Sequence, residues 1–137
     1  MIRAVIDTNV LVSGLLTTAG NEALIILAVH QGLVRPCVSA EIMEEYAEVL
    51  ARPKFAFPPA EIAAVIAMFG RTAEVFIPEG PAPVLPDRDG AKFLHCAEAA
   101  QAEYLVTGNK RHFPKAACGA VHVVGASELL DRITLEI

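Results

Sequence analysis

The chain has no tryptophan, and aromatic residues make up only 6% of it. Hydrophobic residues nevertheless reach 54%. The core must therefore be aliphatic, built from Val, Leu, Ile and Ala. Three cysteines, Cys37, Cys96 and Cys118, lie far apart, are odd in number and form no C-x-x-C. This excludes a disulfide scaffold and a zinc knuckle, and it predicts buried thiols in a reducing cytoplasm. No run reaches the ~18 apolar residues of a membrane span. Asp7 interrupts the first apolar run, so no signal peptide is expected. No G-x-G-x-x-G follows the first apolar run, which disfavours a dinucleotide site. No G-x-S-x-G surrounds Ser13 or Ser39, so neither has a nucleophile's setting. The excess is of acids, with a net charge of −5. That argues against a protein that coats nucleic acid, but it leaves room for a nuclease whose acids gather at one point.

What remains reads as one α/β domain over 137 residues. "IRAVID" predicts a buried strand ending at Asp7. "LVRPCVS" is a second strand, weakened or pushed toward an edge by Pro36. "EYLVTG" and "VHVVG" are two more, and Val75–Ile77 is a brief candidate. Between them, "NEALIILAVHQG" predicts a helix stopped by Gly32, and "SAEIMEEYAEVLARP" one capped by Ser39 and ended at Arg52-Pro53. "PPAEIAAVIAMFG" is expected to run from its prolines to Gly70. "AKFLHCAEAAQA" and "ASELLDR" complete the set. "EVFIPEGPAPVLPDRDG" reads as an irregular surface connection. Alternating strands and helices imply a parallel sheet between helical layers. Right-handed crossovers put the carboxyl ends of its strands on one edge. Asp7 and Asn109 both fall at such ends.

Four glutamates sit on the Ser39 helix. Its apolar stripe is Ile42, Tyr46, Val49 and Leu50. At about 100° per residue, Glu45 lies roughly 80° from the stripe's centre, nearer than Glu41, Glu44 or Glu48. It is the one best placed to reach inward. Asp87 and Asp89 precede the helix that begins near Gly90, where an aspartate commonly caps free N–H groups. Carboxylates gathered together repel. At ~4 Å and an effective dielectric of ~20, each pair costs about 4 kcal/mol. A divalent cation relieves that cost, and oxygen-only ligands suit Mg²⁺ or Mn²⁺.

Three stretches, "VIDTNVLVSGLL", "VSAEIMEEYAEVLARPKF" and "DRDGAKFLHCAEAAQAEYLVTGNKRHFP", resemble the PIN-domain family in their order and spacing, specifically the bacterial toxins of toxin–antitoxin systems. The resemblance implies a three-layer α/β/α sandwich with a four- or five-stranded parallel sheet. It implies endoribonuclease activity dependent on Mg²⁺ or Mn²⁺, with a metal-activated water. Asp7 matches the first acid and Glu45 the second, while Asn9 and Thr107 match flanking polar residues. The third and fourth positions depart. The family pattern resembles DPDDxKFL, and Gly90 (or Ala91) stands where its acid falls. Asp89 is the adjacent substitute, with Asp87 retained further out. The fourth acid is replaced by Asn109. With Asp7, Glu45, Asp89 and Asn109 the site carries a formal charge of about −3 rather than about −4, which weakens metal binding.

Lys110, Arg111 and His112 follow Asn109, with Lys115 beyond and Lys92 and Lys54 as possible neighbours. They read either as a solvated turn or as an RNA-phosphate clamp. The spacing does not require His112 to be a general acid, and His30, His95 and His122 are read as structural. Two functions follow. One is a cytoplasmic, metal-dependent ribonuclease toxin, with RNA as substrate, a cognate antitoxin as partner and the homodimer common in the family. The other is a degenerate PIN domain that binds RNA or a protein without efficient cleavage. A phosphatase of the haloacid-dehalogenase type is disfavoured, because "DTN" replaces the D-x-D it needs.

Overall fold

The computed structural model describes residues 1–136. Among them, five strands form one parallel sheet in the order β3-β2-β1-β4-β5. The strands are β1 (Ile2–Ile6), β2 (Val34–Val38), β3 (Glu74–Val75), β4 (Tyr104–Val106) and β5 (His122–Val124). The helices are α1 (Thr8–Leu16), α2 (Asn21–His30), α3 (Ala40–Leu50), α4 (Pro59–Thr72), α5 (Ala91–Ala100), the single turn α6 (Lys115–Cys118) and α7 (Ala126–Glu136). The fold is a three-layer α/β/α sandwich. Helices α2 and α7 pack on one another and on the sheet, while α5 lies across β1, β2 and β4.

β1 is central. Ile2, Ala4, Val5 and Ile6 are all fully buried, as a strand covered on both faces must be. Ile6 is in register with Val106 of β4, and Ala4 with Pro36 of β2. β3 pairs only with Cys37 and Val38, so it does not extend to Pro36. Proline therefore stands on a stretch of β2 with no neighbour on its outer side. Arg3 Nε donates to Glu74 Oε1 at 2.9 Å and ties this two-residue strand back to β1. The three cysteines are unpaired and buried. Burial pushes the Cys96 thiol up to about 12, which leaves it inert.

Three elements differ from expectation besides α6, which is not among the expected helices, and α7, which continues past Arg132 to Glu136. β3 is Glu74–Val75 and stops before Ile77. α4 continues through Gly70 to Thr72. A side chain at Gly70 would meet nothing within 4 Å, so the residue is an open helical position and not a stop. The third is α1, whose pattern does not announce a helix. Thr8, Val10 and Val12 are β-branched and Gly14 is a poor helix former. Gly14 is there for packing: a Cβ would come within 2.5 Å of Ile26 Cδ1 and 3.0 Å of the Glu22 carbonyl oxygen. Its absence lets α1 and α2 cross closely.

Strand order reverses between β1 and β4, because the chain leaves β1 toward β2 and β3 and returns on the other side. Ligands of open α/β sheets bind at such a switch, outside the carboxyl ends of the strands. Asp7 and Thr107 are the first residues beyond those two strands.

Candidate active site at the switch point

Asp7 follows β1 directly, and its backbone N–H donates to the Val106 carbonyl at 2.9 Å. It occupies the N-cap position of α1, yet its side chain caps nothing. Its Oδ2 instead accepts from Thr107 Oγ1 at 2.7 Å and from Asn9 Nδ2 at 3.3 Å. Burial pushes the Asp7 carboxyl above its ordinary value, and the nearby Glu45 charge adds to the rise, against the Thr107 hydroxyl that favours the ionised form. Thr107 is 1% exposed and also accepts the Asn109 N–H at 3.0 Å. Asn9 Oδ1 accepts the Gly108 N–H at 3.2 Å. Asn9 and Thr107 therefore fasten the start of α1 to the tip of β4 and fix Asp7 between them.

Glu45 comes from α3. Ser39 caps this helix, its Oγ accepting the Ile42 N–H at 3.2 Å. Ile42, Tyr46 and Leu50 are fully buried. Tyr46 anchors the middle of the helix by donating its hydroxyl to the Ile6 carbonyl, one residue before Asp7. Glu45 is beside it and reaches the sheet edge. Its Oε2 accepts from Thr8 Oγ1, and its Oε1 from Lys92 Nζ at 2.7 Å.

A cavity of about 290 Å³ opens here, lined among others by Asp7, Glu45, Asp87, Asp89, Arg52 and His112. Asp87 caps the short turn Arg88–Gly90, accepting the Asp89 N–H at 3.1 Å. Its Oδ2 lies 3.1 Å from His112 Nδ1. Asp89 is exposed at the mouth. Gly90 is buried under Phe113: a Cβ would fall 3.1 Å from Phe113 Cζ and 3.2 Å from Cε1. A side chain at this position would press on that ring, which must give by a few tenths of an ångström.

Asn109 does not line this cavity. It borders an adjacent hollow of about 180 Å³ with Asn9, Ser13 and Glu22. Its Nδ2 lies 3.3 Å from His112 Nε2. The His112 ring therefore stands between the Asp87 carboxylate and the Asn109 amide. Lys110 is ion-paired with Glu128 on the surface. Arg111 is exposed and has no ion pair among the described residues. Lys54 lies over the Phe55 ring, 5.1 Å from its centre. Among the described residues, no three His, Cys, Asp or Glu side chains converge tightly enough to hold a metal ion.

Two cations stand beside the acids: Arg52, assigned no role in the site from the sequence, and Lys92, expected only as a possible neighbour of the basic rim. Arg52 lies two residues beyond the end of α3, in extended backbone, and lines the same cavity as Glu45 and Val49. Lys92 follows Asp89 by three residues and returns to its carbonyl oxygen at 3.0 Å.

An all-parallel α/β/α sheet with acids facing one cavity at its switch point defines a protein that works on a ligand at its carboxyl edge. The particular family follows from the sequence: the model of the PIN domain matches residues 3–111, and the chain belongs to that family. No curated protein matches the chain. PIN domains are generally nucleases and usually use divalent metal ions.

Proposed function

We propose that this protein is a Mg²⁺- or Mn²⁺-dependent endoribonuclease, the toxin of a toxin–antitoxin pair, with Asp7 and Glu45 as its principal acids. The observation that carries this reading is the meeting of those two carboxylates on one cavity at the switch point, in a PIN-domain chain. The donors fit a hard cation in kind, since they are carboxylate oxygens. Mg²⁺ keeps several waters and is typically held through one or two carboxylates together with substrate phosphate oxygens. Asp7 and Glu45 supply such a pair, and Asp89 at the mouth adds charge without having to join them. A bound ion would supply an activated water and a counter-charge for the phosphate.

The chain's own residues do the rest. Thr107 and Asn9 fix the orientation of Asp7, and Thr8 fixes that of Glu45. Arg52 stands at the cavity wall, where a phosphate oxygen can reach it. Asn109 acts through Thr107 and His112. Lys110, Arg111 and His112 form the rim over which the RNA strand would pass. Exposed Leu16, Leu24 and Leu27 on α1 and α2 offer an apolar surface for the antitoxin or a second copy. No single helix among the described residues is long and apolar enough to cross a membrane.

A non-cleaving PIN domain that binds RNA or a protein is the second reading. It is favoured by Gly90, Asn109 and the lysine seated on Glu45. Incubation of the protein with RNA and Mn²⁺, beside the Asp7→Asn variant, separates the two. Cleavage by the natural protein alone supports the first reading. Equal cleavage by both removes Asp7 from the site, and cleavage by neither leaves the binding protein.

A further inference from the structure

We infer that Lys92 is a built-in counter-ion that competes with a divalent cation for Glu45, so that a lysine of the same chain sets the metal affinity of the site. This rests on the metal-dependent reading above and adds a control to it. Lys92 Nζ donates to Glu45 Oε1 at 2.7 Å and to the Asp89 carbonyl at 3.0 Å. Its ammonium also lies 5.5 Å from the centre of the Phe93 ring. The two side chains are only 12% and 20% exposed. This is not a surface pair that solvent exchanges freely. α5, which carries Lys92, packs against β1, β2 and β4, so the base of the lysine is fixed relative to the acids.

With Thr8 on Oε2 and Lys92 on Oε1, both oxygens of Glu45 are engaged. Glu45 must share Oε1 or give up the ammonium before it can serve a divalent cation fully. The charge works in the same direction. Asp7, Glu45 and Asp89 together carry a formal charge of about −3, and Lys92 reduces it to about −2, so attraction for a dication falls. The other strong cation on the cavity wall, Arg52, is held by Glu48 and leaves Glu45 alone. Competition for Glu45 therefore falls to Lys92.

Mn²⁺ titrated into the intact protein by calorimetry, without RNA, tests this. Lys92→Met removes the charge and keeps much of the length, and it is expected to bind Mn²⁺ at least about tenfold more tightly than the natural protein. Lys92→Arg keeps the charge and should stay near the natural affinity. The gain in Tm on adding Mn²⁺ should be larger for Lys92→Met. Lys92→Gln, which can still hydrogen-bond Glu45, serves the same purpose should the methionine variant not fold. If the neutral variants bind Mn²⁺ equally or more weakly while Glu45→Gln abolishes binding, Lys92 only positions Glu45; this inference fails and the metal site stands. If no variant binds Mn²⁺, neutral ones included, both the inference and the metal-dependent reading fall.

Discussion

On the resemblance, Gly90 (or Ala91) stands where the family pattern carries an acid, and the simplest engineering idea is to put the acid back at Gly90. The structure predicts that this fails by itself. The backbone is not the obstacle: Gly90 has φ −75° and ψ −22°, which any residue adopts. On those grounds Gly90→Ala should stabilise by about 0.5–1 kcal/mol, through a smaller loss of chain entropy. The obstacle is Phe113, whose ring carbons would lie 3.1 and 3.2 Å from the new Cβ. Phe113 is only 3% exposed, and its ring must give by a few tenths of an ångström to admit the Cβ. Overpacking of this kind costs about 1–3 kcal/mol.

The net expectation for Gly90→Ala is a loss of about 0–2.5 kcal/mol, read as the shift in the urea midpoint at unchanged slope. In Tm this is roughly 3–5 °C per kcal/mol for a chain of this size. Gly90→Asp should lose more, because it brings another charge to a wall already carrying Asp7, Glu45, Asp87 and Asp89. The decisive measurement is a double-mutant cycle with Phe113→Leu. If the ring is the obstacle, Gly90→Ala becomes neutral or stabilising once Phe113 is shortened, and the coupling is about 1–3 kcal/mol. A stabilising Gly90→Ala in the natural background, or zero coupling, would refute the reasoning. With Phe113→Leu present, Gly90→Asp becomes the fair test of whether a third acid strengthens the site.

Asp7→Asn should abolish cleavage and yet raise stability at neutral pH. Burial raises the folded carboxyl above its unfolded value, so the stability linked to Asp7 is full below the unfolded value and is lost as pH rises through the folded one. The stability difference between variant and natural protein, followed by urea denaturation, should therefore open as pH rises through the carboxylate range and close in acid; a constant difference would contradict the assignment. Asn109→Asp should leave Mn²⁺ affinity within about twofold by calorimetry, because Asn109 borders a different hollow; a large gain would bring it into the metal's reach. Tyr46→Phe removes the donor to the buried Ile6 carbonyl and should cost about 1–3 kcal/mol in urea unfolding; a neutral result would mean the carbonyl finds another donor.

Much of the architecture was readable because the strands are short apolar runs separated by capped helices, and parallel topology then fixes which ends share an edge. That is enough to bring Asp7 and Asn109 to one edge from opposite parts of the chain; because β4 ends at Val106, it is Thr107 that meets Asp7. Glu45 was readable from the angle it makes with the stripe of Ile42, Tyr46 and Leu50. The rest depends on contacts that periodicity does not encode. Nothing local to Gly90 says that Phe113 covers it. Asn109 shares the edge, but a short turn over Lys110–His112 follows it and its amide faces His112. Asp87 is committed to the turn Arg88–Gly90, in keeping with its capping position. α1 was hidden because its residues were selected for close approach to α2 and to the site, not for helix propensity.

The rim also changes meaning once its partners are known. Lys110 pairs with Glu128 and His112 with Asp87, so two of the three basic side chains after Asn109 already have anionic neighbours. That does not remove them from an RNA path. Both members of the Lys110–Glu128 pair are half exposed, and pairs of this kind are worth only about 0–1 kcal/mol. A phosphate that releases counter-ions as it binds can compete at that level. Lys92 is different, since its partner is largely buried and lies inside the cavity. Increasing salt should therefore weaken RNA binding through Lys110 and Arg111 while leaving the Lys92–Glu45 contact largely intact. On the proposed function the two sets of cations can be separated by ionic strength: the outer set would govern how the strand is held, and the inner lysine what Glu45 is free to do.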